Sequence, residues 1–200
     1  PLIAWAGSWP TAYAAHAAGG AASKLLLFGE SGGDRASAAV DAIARDLMPD
    51  GAHVLELQAG ADCGGSDGCA ARIEKHVATA SAAGQLSLVV LRQVEACATD
   101  ELYDDVVAVV ERFLDETPAT LTTAHGEVTK ALVGFVLLAP CLTTERCHTI
   151  EASGGHAANE LIRRGEVEAL WPRAHFSAAV NAARRAFINR LGTDLAVVCG

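Results

Sequence analysis

No apolar run in the sequence approaches the roughly 18 residues that a membrane-spanning helix requires. The longest, Leu25 to Phe28, Leu86 to Leu91 and Ala131 to Pro140, all stop well short, so no stretch reads as a spanning helix. Cationic surplus is missing too. Fifteen lysines and arginines face 24 acids, a formal charge of −9, which leaves nothing to neutralise phosphates, and nucleic acid is not an expected partner. Aromatic residues make up only 5% of the chain, and no CxxC pair occurs. The sequence opens on Pro1 without a methionine or a signal-like segment, from which a processed or excised domain is expected, its targeting information and any membrane anchor lying upstream.

What is present is enough for one domain with a buried core: 200 residues, 51% hydrophobic and 20% charged, with no internal repeat and no linker. The six cysteines are Cys63, Cys69, Cys97, Cys141, Cys147 and Cys199. An even count without CxxC leans toward disulfides and an oxidising compartment. Their spacings, with His76, His148 and His156 scattered, fit none of the usual structural zinc patterns, so no metal is expected.

Periodicity predicts alternating strands and helices. Lys24 to Phe28 reads as a strand closed by Gly29, and Asp34 to Met48 as a helix. His53 to Gln58 reads as a second strand, Cys63 to Cys69 as a glycine-rich loop and Cys69 to Ala83 as a second helix. Leu86 to Val94 is a third strand. Thr99 is a candidate N-cap for a helix over Asp100 to Asp115, with acids in its first turn. Glu116 to Val128 reads as a polar loop, and Ala131 to Ala139 as a central strand buried on both faces and ended by Pro140. Helices over His156 to Glu168 and Pro172 to Arg190, then a strand over Asp194 to Val198, complete the order. The expected fold is α/β, a mostly parallel central sheet flanked by helices. Residues 1–20, with Trp5, Trp9 and Tyr13 four apart, suggest a helical or irregular segment packed on it, interrupted at Pro10.

The turn Gly29-Glu30-Ser31-Gly32-Gly33 allows two chemical readings. As G-x-S-x-G it matches the elbow that presents a nucleophilic serine, here Ser31, but too little chain precedes it for an α/β-hydrolase, and no downstream acid or histidine, such as Glu95, His148 or His156, is singled out by spacing. In a second frame, Gly29 to Ala36 follows the phosphate-loop skeleton with its chemistry removed. Asp34 stands for the last glycine, Arg35 for the lysine, and Ala36 for the hydroxyl residue that holds magnesium. The third strand repeats this, ending Leu91-Arg92-Gln93-Val94-Glu95, with a cation where a metal-binding aspartate belongs. The order of strands, degenerate loop and helices is that of an AAA+-like core that has lost nucleotide binding, so no cofactor is expected.

From Lys24 to Gly200 the chain resembles the lumenal domains of the torsin activators, the lamina-associated polypeptide and its lumenal-domain-like relative. Leu25-Leu26-Leu27-Phe28-Gly29 looks like that family's first strand and degenerate loop, Val89 to Cys97 like its third strand with a trailing cysteine, and Val106 to Glu116 like the helix and acidic turn that follow. Leu170-Trp171-Pro172-Arg173 resembles its Leu-Trp-Ser-Arg motif, with a proline in place of the serine. The resemblance implies a catalytically inert AAA+-like domain in the endoplasmic reticulum lumen or perinuclear space. Such a domain binds a torsin-family ATPase in its ATP-bound state and inserts Arg173 into the neighbour's site as an arginine finger. A guanidinium supplied in trans offsets charge developing on the transferred phosphoryl group and accelerates hydrolysis by about 10³ to 10⁵ in GTPases. Trp171, Arg184 and Arg185 are the further partner-binding candidates. Residues 151–200 carry a net charge of +1 against −10 for the first 150, which offers a relatively cationic face. The resemblance also implies a Cys97–Cys199 disulfide; apart from the resemblance, Cys63–Cys69 and Cys141–Cys147 are taken as local staples because each pair is close in sequence. A serine hydrolase using Ser31, or a degenerate AAA+ domain with a purely structural binding role, are the alternatives.

Overall fold

Strand residues in this chain alternate between two apolar environments, and the alternation builds a sheet covered on both faces. In the computed structural model, which describes residues 21–48, 53–63, 68–97, 99–115, 117–153, 167–171, 175–191 and 195–199, the strands are β1 (Ser23–Glu30), β2 (Val54–Gln58), β3 (Ser87–Arg92), β4 (Thr120–Thr123), β5 (Gly126–Thr129), β6 (Val133–Leu142) and β7 (Leu195–Val198). The helices are α1 (Arg35–Leu47), α2 (Cys69–Ala82), α3 (Asp100–Leu114), α4 (Thr144–Ser153), α5 (Val167–Leu170) and α6 (Ala178–Leu191). The central sheet runs β2-β3-β6-β1-β7, and every neighbouring pair in it is parallel. The α/β expectation holds, and the arrangement is consistent with an AAA+-like core.

Leu25 and Leu27 of β1, Leu88 and Val90 of β3, and Val136 and Leu138 of β6 face α1, where Ala36, Val40, Ile43 and Ala44 are spaced to meet them. Leu26, Phe28, Val89, Leu91, Phe135 and Leu137 point the other way, into a larger core with Ile73 and Val77 of α2, Val106, Val110 and Phe113 of α3, and Phe187 of α6. Two-sided burial is why these strands read as nearly continuous apolar runs. At roughly 1.5–3 kcal/mol for each large apolar side chain fully buried, these two layers dominate the stabilisation.

Thr99 caps α3 as expected, its Oγ1 accepting from the amide of Leu102 at 3.3 Å. Three local expectations are corrected. Pro140 lies inside β6 rather than ending it. Pairing of β6 with β3 stops at Leu138, and its register against β1 shifts between Phe28 and Glu30, so the proline falls at an irregularity where a missing N–H is tolerated. The polar loop contains the antiparallel hairpin β4–β5, which buries Val128 and whose Thr129 amide donates to Ser81 Oγ on α2. Helix α4 occupies a stretch left unassigned by periodicity. The segment 1–20 and most of the helix expected over His156 to Glu168 lie outside the described residues.

Candidate functional site

Connections leave β1 and β3 toward opposite faces of the sheet, since α1 packs on one layer and α3 on the other. In open α/β sheets the crevice at the strands' carboxyl ends beside such a reversal is where ligands bind. Here that crevice is lined by Gly33, Ser37, Gln58, Arg92, Gln93, Leu138 and Pro140, and its volume is about 190 Å³. Small-molecule sites occupy about 300–1,000 Å³, so this crevice is smaller than a typical ligand pocket.

The turn after β1 uses its own hydrogen-bonding groups. The amide of Ser31 donates to the carbonyl of Leu142 at 2.8 Å, and that of Gly33 to the carbonyl of Glu30 at 3.0 Å. Gly32 stands at φ +80°, the left-handed position that closes a four-residue turn and favours glycine. Thr144 at the start of α4 donates through its hydroxyl to Glu30 Oε1. A phosphate-binding loop needs free amides converging on an anion, and two of those here are committed internally.

The side chains aligned with the phosphate-loop chemistry are likewise committed. Arg35, in the lysine position, donates to the carbonyl of Cys199 at 3.3 Å. Ala36, in the hydroxyl position, packs so closely on β1 that a Cβ at position 29 would lie 2.6 Å from its own. Gly29 is required for that approach. Ser31 is exposed, and its side chain has no hydrogen bond to a histidine among the described residues.

Arg92 leaves the end of β3 and spans the mouth of the sheet. Nη1 donates to Ser37 Oγ at 2.7 Å, Nη2 to Asp41 Oδ1, and Nε and Nη2 to Glu56 Oε2 at 3.1 and 3.0 Å. Burial opposes the charge on this guanidinium, but the bonds from Asp41 and Glu56 outweigh it and raise the pKa above the usual arginine value. A cation paired with two carboxylates gives this edge a net negative charge, unfavourable for phosphate. Sequence reading found Arg92 but not its partners, although Ser37 and Asp41, four apart on a helix, must share one face.

The next residues are unusual in another way. Gln93 adopts φ +57°, a left-handed conformation that is uncommon outside glycine and asparagine. Glu95 has a buried Oε2 without a hydrogen-bond partner, and burial pushes its carboxyl above the ordinary range. Cys97 is a buried free thiol. Burial first, then the charges of Glu95 and Asp105, push it up to about 12, so it is poorly nucleophilic at neutral pH.

Of the residues proposed to meet a partner, Arg173 lies outside the described residues, as does Pro172 before it. Arg185 is exposed. Trp171 and Arg184 are not surface groups: they are 0% and 2% exposed. The indole Nε1 donates to the carbonyl of Val94 at 3.0 Å, and Arg184 Nε donates to the carbonyl of Trp171. Tyr103 meets Trp171 edge-on at 6.1 Å, and Phe187 packs against it at 5.7 Å. Both side chains are therefore core groups and do not themselves offer a surface to a partner.

The disulfides are Cys63–Cys69 and Cys147–Cys199. The expected Cys97–Cys199 and Cys141–Cys147 pairs do not form. Cys147 sits on α4, which brings it beside the end of β7 with a Cα–Cα distance of 5.6 Å, whereas Cys97 is enclosed in the core with α2 and α3. Cys141 is exposed and takes part in neither bridge. Two disulfides fit an oxidising compartment, and no described helix is long and apolar enough to cross a membrane. No protein-family model matches the chain, and no curated protein matches it in sequence.

Proposed function

We propose that this chain is a nucleotide-free AAA+-like domain that binds a torsin-family ATPase in its ATP-bound state and accelerates hydrolysis there by lending Arg173 in trans. The observation that carries this reading is the combination of a β2-β3-β6-β1-β7 parallel sheet with a small strand-end crevice lined by Arg92, which pairs with Asp41 and Glu56. A domain with this scaffold and so small a crevice at its own strand ends is suited to act through a neighbour that holds the nucleotide. The anchoring of Trp171, two positions before Arg173 in sequence, supports the reading, since a finger must be delivered from a fixed base to be pre-organised. The disulfides support a lumenal setting, in the endoplasmic reticulum or perinuclear space.

The test is steady-state ATP hydrolysis by a torsin-type ATPase, alone and with this domain. The domain stimulates turnover, Arg173→Ala abolishes the stimulation, and the variant still co-elutes with the ATPase trapped in ATP. Full stimulation by Arg173→Ala refutes the assignment of the finger, and absence of both binding and stimulation refutes the partner.

A further inference from the structure

Three metal-ligating groups converge at the entrance to α2, on the far side of the large core from α1. Sγ of Cys63, Sγ of Cys69 and a carboxylate oxygen of Asp105 all lie within 4.8 Å of one another. They come from a loop, the first residue of α2 and the middle of α3, so tertiary structure rather than sequence proximity assembles them. Asp105 is held in place by the amides of Cys69 and Ala70, which donate to its two oxygens at 2.8 and 3.0 Å. Position 68 makes room for it, because a Cβ there would stand 2.3 Å from Asp105 Oδ1. Cys63 is half-buried and open to a reductant, whereas Cys147 and Cys199 are 0% and 3% exposed.

We propose that reduction of the Cys63–Cys69 disulfide turns this corner into a zinc-class metal site, with two thiolates and the Asp105 carboxylate as ligands and water in the fourth position. Two thiol molecules supply two electrons and two protons. The S–S bond breaks, Cys63 and Cys69 become thiols, and the reductant leaves as its own disulfide. The metal then forms two metal–sulfur bonds and releases both thiol protons to solvent.

The chemistry favours a metal over an idle dithiol. Deprotonated Cys63 and Cys69 would stand beside a carboxylate already fixed at the same point, and a divalent cation converts that repulsion into three bonds. Thiolates select zinc-class ions over calcium or magnesium. Tetrahedral bonds of about 2.3 Å place two sulfurs about 3.8 Å apart, a short opening from the disulfide. The C-x5-C spacing conceals this arrangement in the sequence because the third ligand lies 36 residues away on another helix. The site does not rest on the activator reading, and it forms only once a reductant has opened the disulfide that an oxidising compartment keeps closed.

The test is cobalt(II) titration of the full chain after reduction by a phosphine, which donates the electrons and leaves as its oxide with oxygen from water. One equivalent of cobalt gives thiolate charge-transfer absorption and tetrahedral ligand-field bands, and zinc displaces it. Cys63→Ser abolishes the charge-transfer band, and Asp105→Asn weakens affinity by at least about tenfold. A second readout needs no variant: zinc protects Cys63 and Cys69 of the reduced wild-type chain from iodoacetamide, as mapped by peptide mass spectrometry. Absence of the bands, their persistence in Cys63→Ser, unchanged affinity in Asp105→Asn, or unprotected alkylation of Cys63 and Cys69 overturns the proposal.

Discussion

The guanidinium of Arg92 at the end of β3 is bonded to the carboxylate of Asp41 on α1, joining the two elements between which a nucleotide-binding core would hold its phosphates and metal. The ion pair ties the helix to the sheet from within the chain. Arg92 retains 15% side-chain exposure, while Asp41 and Glu56 are about half exposed, at 49% and 48%. Solvent screens the pairs accordingly, and most of the stabilisation comes from the four hydrogen bonds held in one geometry.

Arg92→Ala is expected to destabilise the fold by about 1–2 kcal/mol. At this chain length that lowers the melting temperature by roughly 2–8 °C. Differential scanning calorimetry at low and high salt checks it, and the difference between wild type and variant shrinks as salt rises. No change at low salt contradicts the clamp.

Trp171 fills the junction between the β3–α3 connection and α6. Trp171→Ala removes its aromatic contacts and the indole donor to the Val94 carbonyl, which keeps the Cys97 amide, at an expected cost of about 3–5 kcal/mol. Trp171→Phe costs less because the ring contacts survive. Urea unfolding midpoints distinguish the two. If the activator reading holds, Trp171→Ala also lowers stimulation of the ATPase while Arg185→Ala leaves stability unchanged.

Much of this architecture was legible in the sequence, for reasons that can be named. The strands β1, β3 and β6 declare themselves because two-sided burial makes them continuous apolar runs, and α3 declares itself through Thr99 and a regular stripe from Tyr103 to Phe113. The hairpin β4–β5 was hidden because Val128 is the one fully buried residue in a threonine-rich stretch. Helix α4 was hidden because its apolar residues form no clear stripe. The Cys147–Cys199 pair is hidden for the same reason, since α4 is what brings Cys147 to Cys199. Arg184 lies four residues after Val180 and three before Phe187, both buried, so helical spacing already put it on the inward face, while its neighbour Arg185 points outward. Charge alone argued the opposite.

Stability is expected to fall at both ends of the pH range. On the alkaline side, Cys97 has its pKa raised from 9.0 to about 12 in the folded chain. Between those values the unfolded state has released a proton that the folded state keeps, so stability falls as pH rises through the window. Burial of Tyr103 pushes its hydroxyl upward and acts in the same direction. On the acid side, burial lowers His76 from 6.5, against a hydrogen bond with the His53 carbonyl that raises it. The unfolded imidazole takes up a proton that the folded one resists, so stability falls as pH drops through that value. Urea midpoints measured across pH check both limbs. Cys97→Ala flattens part of the alkaline limb and leaves the acid limb alone; an unaltered alkaline limb contradicts the assignment.

The most direct measurement is calorimetric titration of the isolated chain with magnesium and ATP. A scaffold whose turn amides are internally bonded and whose strand-end crevice is spanned by Arg92 gives no saturable heat, with or without the metal. Saturable, magnesium-dependent binding of ATP contradicts the account.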